Sequence, residues 1–524
     1  MASAAAPAGA SPAEGPRASQ PLLPVRHRGV LTIGIMGAMI MQILDTTIAN
    51  VALPHMETSL GATADTVTWV LTSYIVATAI ALPATGWLSD RLGSRNLFLI
   101  AVGGFILASM ACGTAVSLEE MVLFRIFQGV FAAFINPLSQ TSMLDINPPE
   151  HAAKAMSIWG MGVMVGPIMG PVIGGWLTES YNWRWVFYVN VPVGALTFAI
   201  LWFLLPSRPR AHRSFDWLGF MFIGIAVAAF QLMLDRGQNK DWFSSWEIVL
   251  EAMIAAAFAW MAIVHLSTAK KPLFDRHLFG NRNLVTGMFF MVVIGVSTMA
   301  PMALLPPMLQ QLFNYPVIDT GLMMAPRGVG VLFTMWFAGR LMTSGADTRW
   351  VIMLGLVLFA VSLRWMAGYT LEMDFWPVIT AGFVQGLGMG LVFMPMNALA
   401  FATLDNRYRT DGASMLNLMR SIGQSAGISM VTVLLARNIQ VSHADLVQHV
   451  TQDKVPAINL SQIDQFGSIG DSIFSFADAM INQQAAMVAY IDDFYLMSWI
   501  SLAAIPMVLL LKRPKGKMEI IHAE

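Results

Sequence analysis

Asp45 is the residue through which this chain could most directly do chemistry. It stands in Leu44-Asp45-Thr46-Thr47-Ile48-Ala49-Asn50-Val51-Ala52-Leu53-Pro54, within an apolar run long enough to cross a bilayer. A carboxylate there is costly unless it is protonated, paired or turned to a water-filled cavity. A carboxyl that exchanges protons at that depth is what a proton carrier needs; a structural acid fixed by hydrogen bonds is the other reading. Arg125 raises the same question in Arg125-Ile126-Phe127-Gln128-Gly129. Positions 125, 128, 132 and 136 follow helical spacing, so Arg125, Gln128, Ala132 and Asn136 share one face. Arg327 (in Pro326-Arg327-Gly328) and Arg420 (in Arg420-Ser421-Ile422-Gly423) are further arginines inside apolar runs, either structural or cavity-lining.

Two other strings bear on movement rather than on protons. Gly86-Trp87-Leu88-Ser89-Asp90-Arg91-Leu92-Gly93-Ser94-Arg95 lies between two apolar runs. It reads as a tight turn in which Gly86 and Gly93 supply backbone freedom. Asp90, with Arg91 and Arg95, can form ion pairs there that lock one end of a helix bundle. Further on, Gly162, Gly166, Gly170 and Gly174 recur every four residues, with Pro167, Pro171 and Gly175 beside them. A helix with that stripe lets another approach closely, and its prolines permit bending. Plain small-residue packing is the bland alternative.

The elements that must hold these residues are membrane helices. The 524 residues are 56% hydrophobic and 12% charged, about half the charge of a soluble chain. A helix crosses the hydrocarbon in about 20 residues. Fourteen such runs are present, at 29–52, 67–85, 97–117, 119–141, 155–178, 185–205, 216–235, 246–267, 284–308, 319–338, 350–369, 376–401, 411–436 and 494–511. With the N-terminus inside, the cytoplasmic segments hold 21 Lys and Arg and the outer ones 5. This bias predicts that both termini are cytoplasmic. Asp45 and Arg125 then both lie roughly 9–11 Å below the outer boundary, at matching depth. Residues 1–28 and 512–524 read as cytoplasmic tails, the first rich in Ala, Pro, Gly and Ser and disordered. The single cysteine, Cys112, leaves no intrachain disulfide or multi-cysteine metal site. A net charge of −1 gives no indication of nucleic acid, no cofactor is implied, and no hydrolytic or metal motif appears in the runs.

An internal repeat is also visible. Phe127-Gln128-Gly129 followed by Asn136-Pro137 is echoed by Val384-Gln385-Gly386 followed by Met394-Pro395, and the Gln-Gly pairs are 257 residues apart. The expected architecture is therefore an all-α membrane protein of two six-helix bundles, 29–205 and 284–511, with two inserted helices and linkers over 206–283. Parallel halves of this kind place a substrate site at their interface near mid-membrane, which makes Gln128, Asn136, Arg327, Gln385, Met394 and Arg420 candidates to line it.

The Gly86–Arg95 string closely resembles the signature loop of the major facilitator superfamily. Gly166-Pro167-Ile168-Met169-Gly170-Pro171-Val172-Ile173-Gly174-Gly175 resembles the motif associated with its antiporters. The grouping Trp183-Arg184-Trp185-Val186-Phe187 with Asn190 and Pro192 is similar to its drug-exporting branch. The resemblance covers nearly the whole chain and points to the fourteen-span drug:proton antiporters of EmrB type. It implies proton-coupled export of hydrophobic or amphipathic small molecules across the inner membrane, with Asp45 and Arg125 in the coupling. It also implies a periplasmic adaptor protein that passes substrate to an outer-membrane channel. The second-half loop departs from the pattern, since Asp347 and Arg349 stand further from Gly339 than their counterparts do in the first half. A dedicated exporter of one siderophore or lipid-like compound, and a non-transporting membrane sensor, are the rival readings. The gap 437–493 reads as a long periplasmic loop in which Ile458, Leu460, Ile463, Phe466, Ile469, Ile473, Phe474, Phe476 and Met480 suggest amphipathic helices.

Overall fold

Without water to satisfy backbone N–H and C=O groups, a chain crosses a bilayer as helix or as closed barrel. Here it is helix: in the computed structural model no strand occurs among the described residues. These are residues 21–511 except 24, 149–150, 209, 211–212, 344–346 and 450–467. Fourteen helices are long and apolar enough to span: α1 (Arg28–Ser59), α2 (Trp69–Leu92), α3 (Ser94–Thr114), α4 (Leu118–Asp145), α5 (Lys154–Ser180), α6 (Trp185–Leu204), α7 (Trp217–Arg236), α8 (Trp246–Thr268), α9 (Arg282–Gln311), α10 (Asp319–Met342), α11 (Thr348–Met366), α12 (Trp376–Ala402), α13 (Asn406–Gln448) and α14 (Ser475–Leu510). Their starts carry ordinary caps. Ser117 Oγ accepts from the Glu120 N–H, an Asp216 carboxylate oxygen from the Gly219 N–H, and Asn281 Oδ1 from the N–H groups of Asn283 and Leu284.

In the first half α1 packs on α5 and α6, while α4 packs on α2 and α3. In the second, α9 packs on α13, α12 on α10 and α11, and α14 on α11 and α13. The halves meet where α5 lies along α10 and where α13 crosses the end of α2. Of the two helices between these groups, α7 bridges the seam. Its Asp235 accepts from Thr72 of α2, and its Gln231 Nε2 donates to Ser425 Oγ of α13 at 2.8 Å. Helix α8 packs on α7 alone among the spans and is largely exposed.

Two sequence expectations need correction. Gly86 is not in a loop: helix Thr85–Leu92 carries α2 through it, and only Gly93, at φ +89°, makes the turn. The apolar sequence fades at residue 85, but backbone hydrogen bonding continues past it. The second concerns 437–493. The helix of α13 runs Arg409–His449 and that of α14 begins at Ser468, so the last span starts far ahead of residue 494. Asp478, Asp492 and Asp493 lower the local hydropathy without breaking the helix. At 1.5 Å per residue these 41- and 37-residue helices are about 61 and 56 Å long, roughly twice a hydrocarbon core. Gln483 Nε2 donates to the Leu312 carbonyl at 2.9 Å, level with the end of α9. Beyond that level His443 meets Asp478 at 3.2 Å, so the two helices continue side by side. Ile458, Leu460, Ile463 and Phe466 lie outside the described residues, as do residues 1–20 and 512–524.

Candidate functional site

The site is built around Asp45, which α1 holds wholly buried against α4, α6 and the N-terminal part of α2. Arg125 Nη1 donates to Asp45 Oδ2 at 2.6 Å; Gln128 Nε2 and Asn190 Nδ2 donate to Oδ1 at 2.9 and 2.8 Å. The carboxylate thus has partners on both oxygens from two other helices. Arg125 is held in turn. Its Nε donates to the Val70 carbonyl at 2.9 Å, its Nη1 also reaches Gln128 Oε1 at 2.7 Å, and Tyr74 lies 4.2 Å beneath it. Asn190 is anchored by Ser109 Oγ at 3.0 Å. The predicted face of α4 is present: Arg125, Gln128, Ala132 and Asn136 are all buried, and Asn136 continues the chain to Gln42 Oε1 at 2.8 Å.

Desolvating two charges is expensive, and breaking such a pair typically costs 3–5 kcal/mol because the survivor stays buried and uncompensated. A charge on Asp45 and a charge on Arg125 therefore depend on each other. Any event that neutralises Asp45 frees Arg125 and Gln128 to find new partners. That is a chemical switch with two states.

The glycine stripe of α5 faces α1. A Cβ at Gly166 would come within 2.4 Å of Ile43, at Gly170 within 2.0 Å of Thr47 Oγ1, and at Gly162 within 2.1 Å of Met36. Gly174 lies against the Ile48 backbone, where a Cβ would sit 3.3 Å away. The stripe flanks Asp45 on both sides, and Thr47 Oγ1 reaches the Gly166 carbonyl at 3.2 Å. It packs within the first half; the other face of α5, at Ser157 and Gly160, meets Met335 of α10. Pro167 and Pro171 both lie inside the α5 helix.

A second cluster closes the end of the bundle nearest the α2–α3 turn. Asp145, at the end of α4, accepts from Arg208 of the α6–α7 segment (Nη2 to Oδ1, 2.5 Å) and from Arg409 of α13 at 3.3 Å. Asp411 accepts from Arg213 at 2.8 Å. Gly86 is where α2 touches this junction: a Cβ there would lie 1.6 Å from Asp411 Oδ1. Asp90 reaches Arg213 at 3.9 Å and pairs with neither Arg91 nor Arg95, contrary to the sequence expectation. Adjacent helical residues do not face each other, and the Gly93 turn carries Arg95 to the Trp202 carbonyl and ring. In the second half Asp347 caps the Arg349 N–H at 3.1 Å. Asp145, Arg208, Arg213, Arg409 and Asp411 were missed because charges at span ends read as ordinary interface residues.

Arg327, Gln385, Met394 and Arg420 are not brought to Asp45. Arg327 on α10 is buried and donates through Nη2 to the Thr298 carbonyl at 3.1 Å. Gln385 and Met394 of α12 are buried, and Arg420 of α13 bonds Asn417 Oδ1 at 2.9 Å. Asp493 of α14, at the end of the expected loop 437–493, is also buried, and neither of its oxygens has a hydrogen-bond partner among the described residues.

This helical architecture, with a buried charged cluster in one half and an ionic junction between the halves, is that of a membrane transporter. The family model for the Major Facilitator Superfamily matches residues 35–428, and the chain belongs to that family. The multidrug export protein EmrB of Escherichia coli strain K12 is 33% identical over 492 residues, covering 93% of this chain and 96% of that one. EmrB of Haemophilus influenzae is 32% identical over 496 residues, covering 93% and 96%. The fatty acid resistance protein FarB of Neisseria gonorrhoeae is 33% identical over 492 residues, covering 92% and 96%. Among solved structures, a double-Trp mutant of XylE aligns with TM-score 0.60 at 12% identity over 94% of this chain and 98% of that one, which speaks for the fold alone.

Proposed function

We propose that this chain is a proton-coupled antiporter that exports hydrophobic or amphipathic small molecules across the inner membrane by alternating access. The observation that carries the reading is the buried Asp45–Arg125 pair at 2.6 Å, with Gln128 and Asn190 completing the carboxylate's shell. Asp45 releases its proton to the cytoplasm as substrate binds. It takes one up from outside as substrate leaves, and the neutral carboxyl lets go of Arg125. The relatives' names, multidrug export and fatty acid resistance, support a hydrophobic or amphipathic cargo. Helix α5, gripping α1 around Asp45, carries the antiporter motif and transmits the change. The junction of Asp145, Arg208, Arg409, Arg213 and Asp411 closes the cytoplasmic end and opens once per cycle. In support of two parallel halves meeting on a common axis, Gln140 and Asn397, also 257 residues apart, hydrogen-bond at 2.8 Å across the seam.

The decisive experiment is Asp45→Asn in proteoliposomes under an imposed pH gradient. Proton-driven export is lost while the protein still purifies folded; full transport by the variant would remove Asp45 as the proton site. Both termini are cytoplasmic in this reading, so reporters after Glu524 and at the Asp478 level report opposite sides. The helical pair beyond Leu312 is the natural dock for a periplasmic adaptor that leads to an outer-membrane channel. Replacing 441–480 with a Gly/Ser linker leaves vesicle transport intact and abolishes co-purification with such an adaptor. Undiminished co-purification would make the pair a cap on the transporter's own outer face.

A further inference from the structure

The second half holds buried polar groups that no described residue satisfies. Arg327 Nη1, Gln385 Nε2 and Oε1, and Ser297 Oγ are all buried without a hydrogen-bond partner among the described residues. They come from three helices, α9, α10 and α12, that pack on one another. A Cβ on Gly382 would touch the Arg327 Cβ at 3.8 Å, and one on Gly386 would lie 2.0 Å from the Arg327 carbonyl oxygen. Gln385 therefore sits where α12 presses on α10 at Arg327. From there the guanidinium reaches α9 at the Thr298 carbonyl, 3.1 Å away, next in sequence to Ser297.

Donors predominate among these atoms. The guanidinium and amide N–H groups donate, the Ser297 hydroxyl can donate or accept, and Gln385 Oε1 accepts. Arg327 stays charged, and it makes no ion pair among the described residues. Arg420 of α13, whose backbone packs on Gly295 of the same α9, adds a second cation, hydrogen-bonded through its side chain to Asn417. A buried charge in a membrane protein normally has a partner or faces a substrate path. Arg125 has its carboxylate in Asp45; Arg327 has none among the described residues.

We propose that Arg327, Gln385 and Ser297 form a recognition site for the anionic head of an amphipathic substrate, a carboxylate above all, with the apolar tail running among the α9, α10 and α12 side chains. This rests on the exporter reading and names the substrate class for it. The planar fork of Arg327 matches a carboxylate in two-point fashion, and the Gln385 amide and Ser297 hydroxyl supply further donors. A neutral or cationic amphipath of equal chain length lacks the charge that compensates Arg327.

The test measures binding to the purified full chain in a neutral detergent, with decanoate and 1-decanol as probes and no gradient. Wild type prefers decanoate by about tenfold or more, the size expected of a charge-assisted pair. Arg327→Gln brings that ratio close to one, Arg327→Lys retains much of it, and Gln385→Leu lowers it by a few-fold. Arg364→Gln, on the exposed side of α11, leaves it unchanged. If Arg327→Gln does not purify folded, the Lys and Gln385→Leu ratios carry the test. No preference in wild type, or an unchanged ratio in the Arg327 and Gln385 variants, overturns the site and assigns its unpartnered atoms to water. The exporter reading fails separately: selective decanoate binding without export from proteoliposomes sinks that reading and keeps the site. Export of dodecyltrimethylammonium without decanoate preference does the reverse.

Discussion

Gln128 and Gln385 occupy matching Gln-Gly strings on α4 and α12, and both are fully buried, yet their surroundings are opposite. Gln128 is tied to Arg125 at 2.7 Å and to Asp45 at 2.9 Å. Gln385 has no hydrogen bond at either end of its amide among the described residues. The neighbouring arginines differ likewise: Arg125 has a carboxylate, and Arg327 has a carbonyl. In the first half the chain supplies both charges of the pair. In the second half Arg327 meets no carboxylate among the described residues, and in the proposal above a substrate anion supplies one.

The contrast is broken most severely at Arg125. Arg125→Leu leaves Asp45 buried and unpaired, and should destabilise the protein by about 3–5 kcal/mol. The double variant Asp45→Asn/Arg125→Leu should recover much of that loss. Thermal unfolding of the purified protein reads both, and a double variant no better than the single would mean that the pair is not coupled. Arg327→Leu, by contrast, removes a charge that has no partner and should cost far less.

A second way to sharpen the comparison uses the acids. Asp45 is satisfied and Asp493 is not, so the two should respond with opposite sign. Asp493→Leu should raise the unfolding temperature, by an amount corresponding to about 1–3 kcal/mol for a buried unsatisfied polar group. A marked fall would reveal a partner for Asp493 that binds in the native membrane.

The glutamines give a smaller version of the same test. Gln128→Leu strips the links to Asp45, Arg125 and Cys112 and should lower stability by about 1–3 kcal/mol, whereas Gln385→Leu should be neutral or stabilising. Equal losses at the two positions would dissolve the distinction between the halves. Smallest in stability but visible in conformation is Gly86→Ala. Its methyl would displace Asp411 and loosen the junction. Thiol labelling of a cysteine placed at Gln140, in a Cys112→Ala background, should speed up relative to the parent with Gly86.

Much of this was legible in the residues. Fourteen apolar runs became fourteen helices, because a backbone in lipid must bond to itself and length then determines the crossing. The shared depth of Asp45 and Arg125 followed from counting residues at 1.5 Å each, and the helical face of α4 from its period. Within 437–493 helix is expected and occurs at 468–493, but the last span begins well before residue 494, for a physical reason. Hydropathy reports where lipid can be, whereas a helix that projects past the membrane is held by its own hydrogen bonds and by a packed neighbour, here α13 against α14.

What only the tertiary structure decided is partnership. The sequence places charges along helices, but which charges meet depends on how helices rotate and which neighbours they take. Asn190 joins Asp45 from α6, Arg213 of a linker rather than Arg91 or Arg95 answers the acids of the junction, and the α5 glycines face α1 rather than the opposite half. The same holds for what is missing. That Arg125 finds a carboxylate and Arg327 does not is invisible in two similar apolar strings, because an unsatisfied donor is defined by everything packed around it. The sequence alone determined that this is a helical membrane protein with a few costly charges in it; packing decided which of them are already paired.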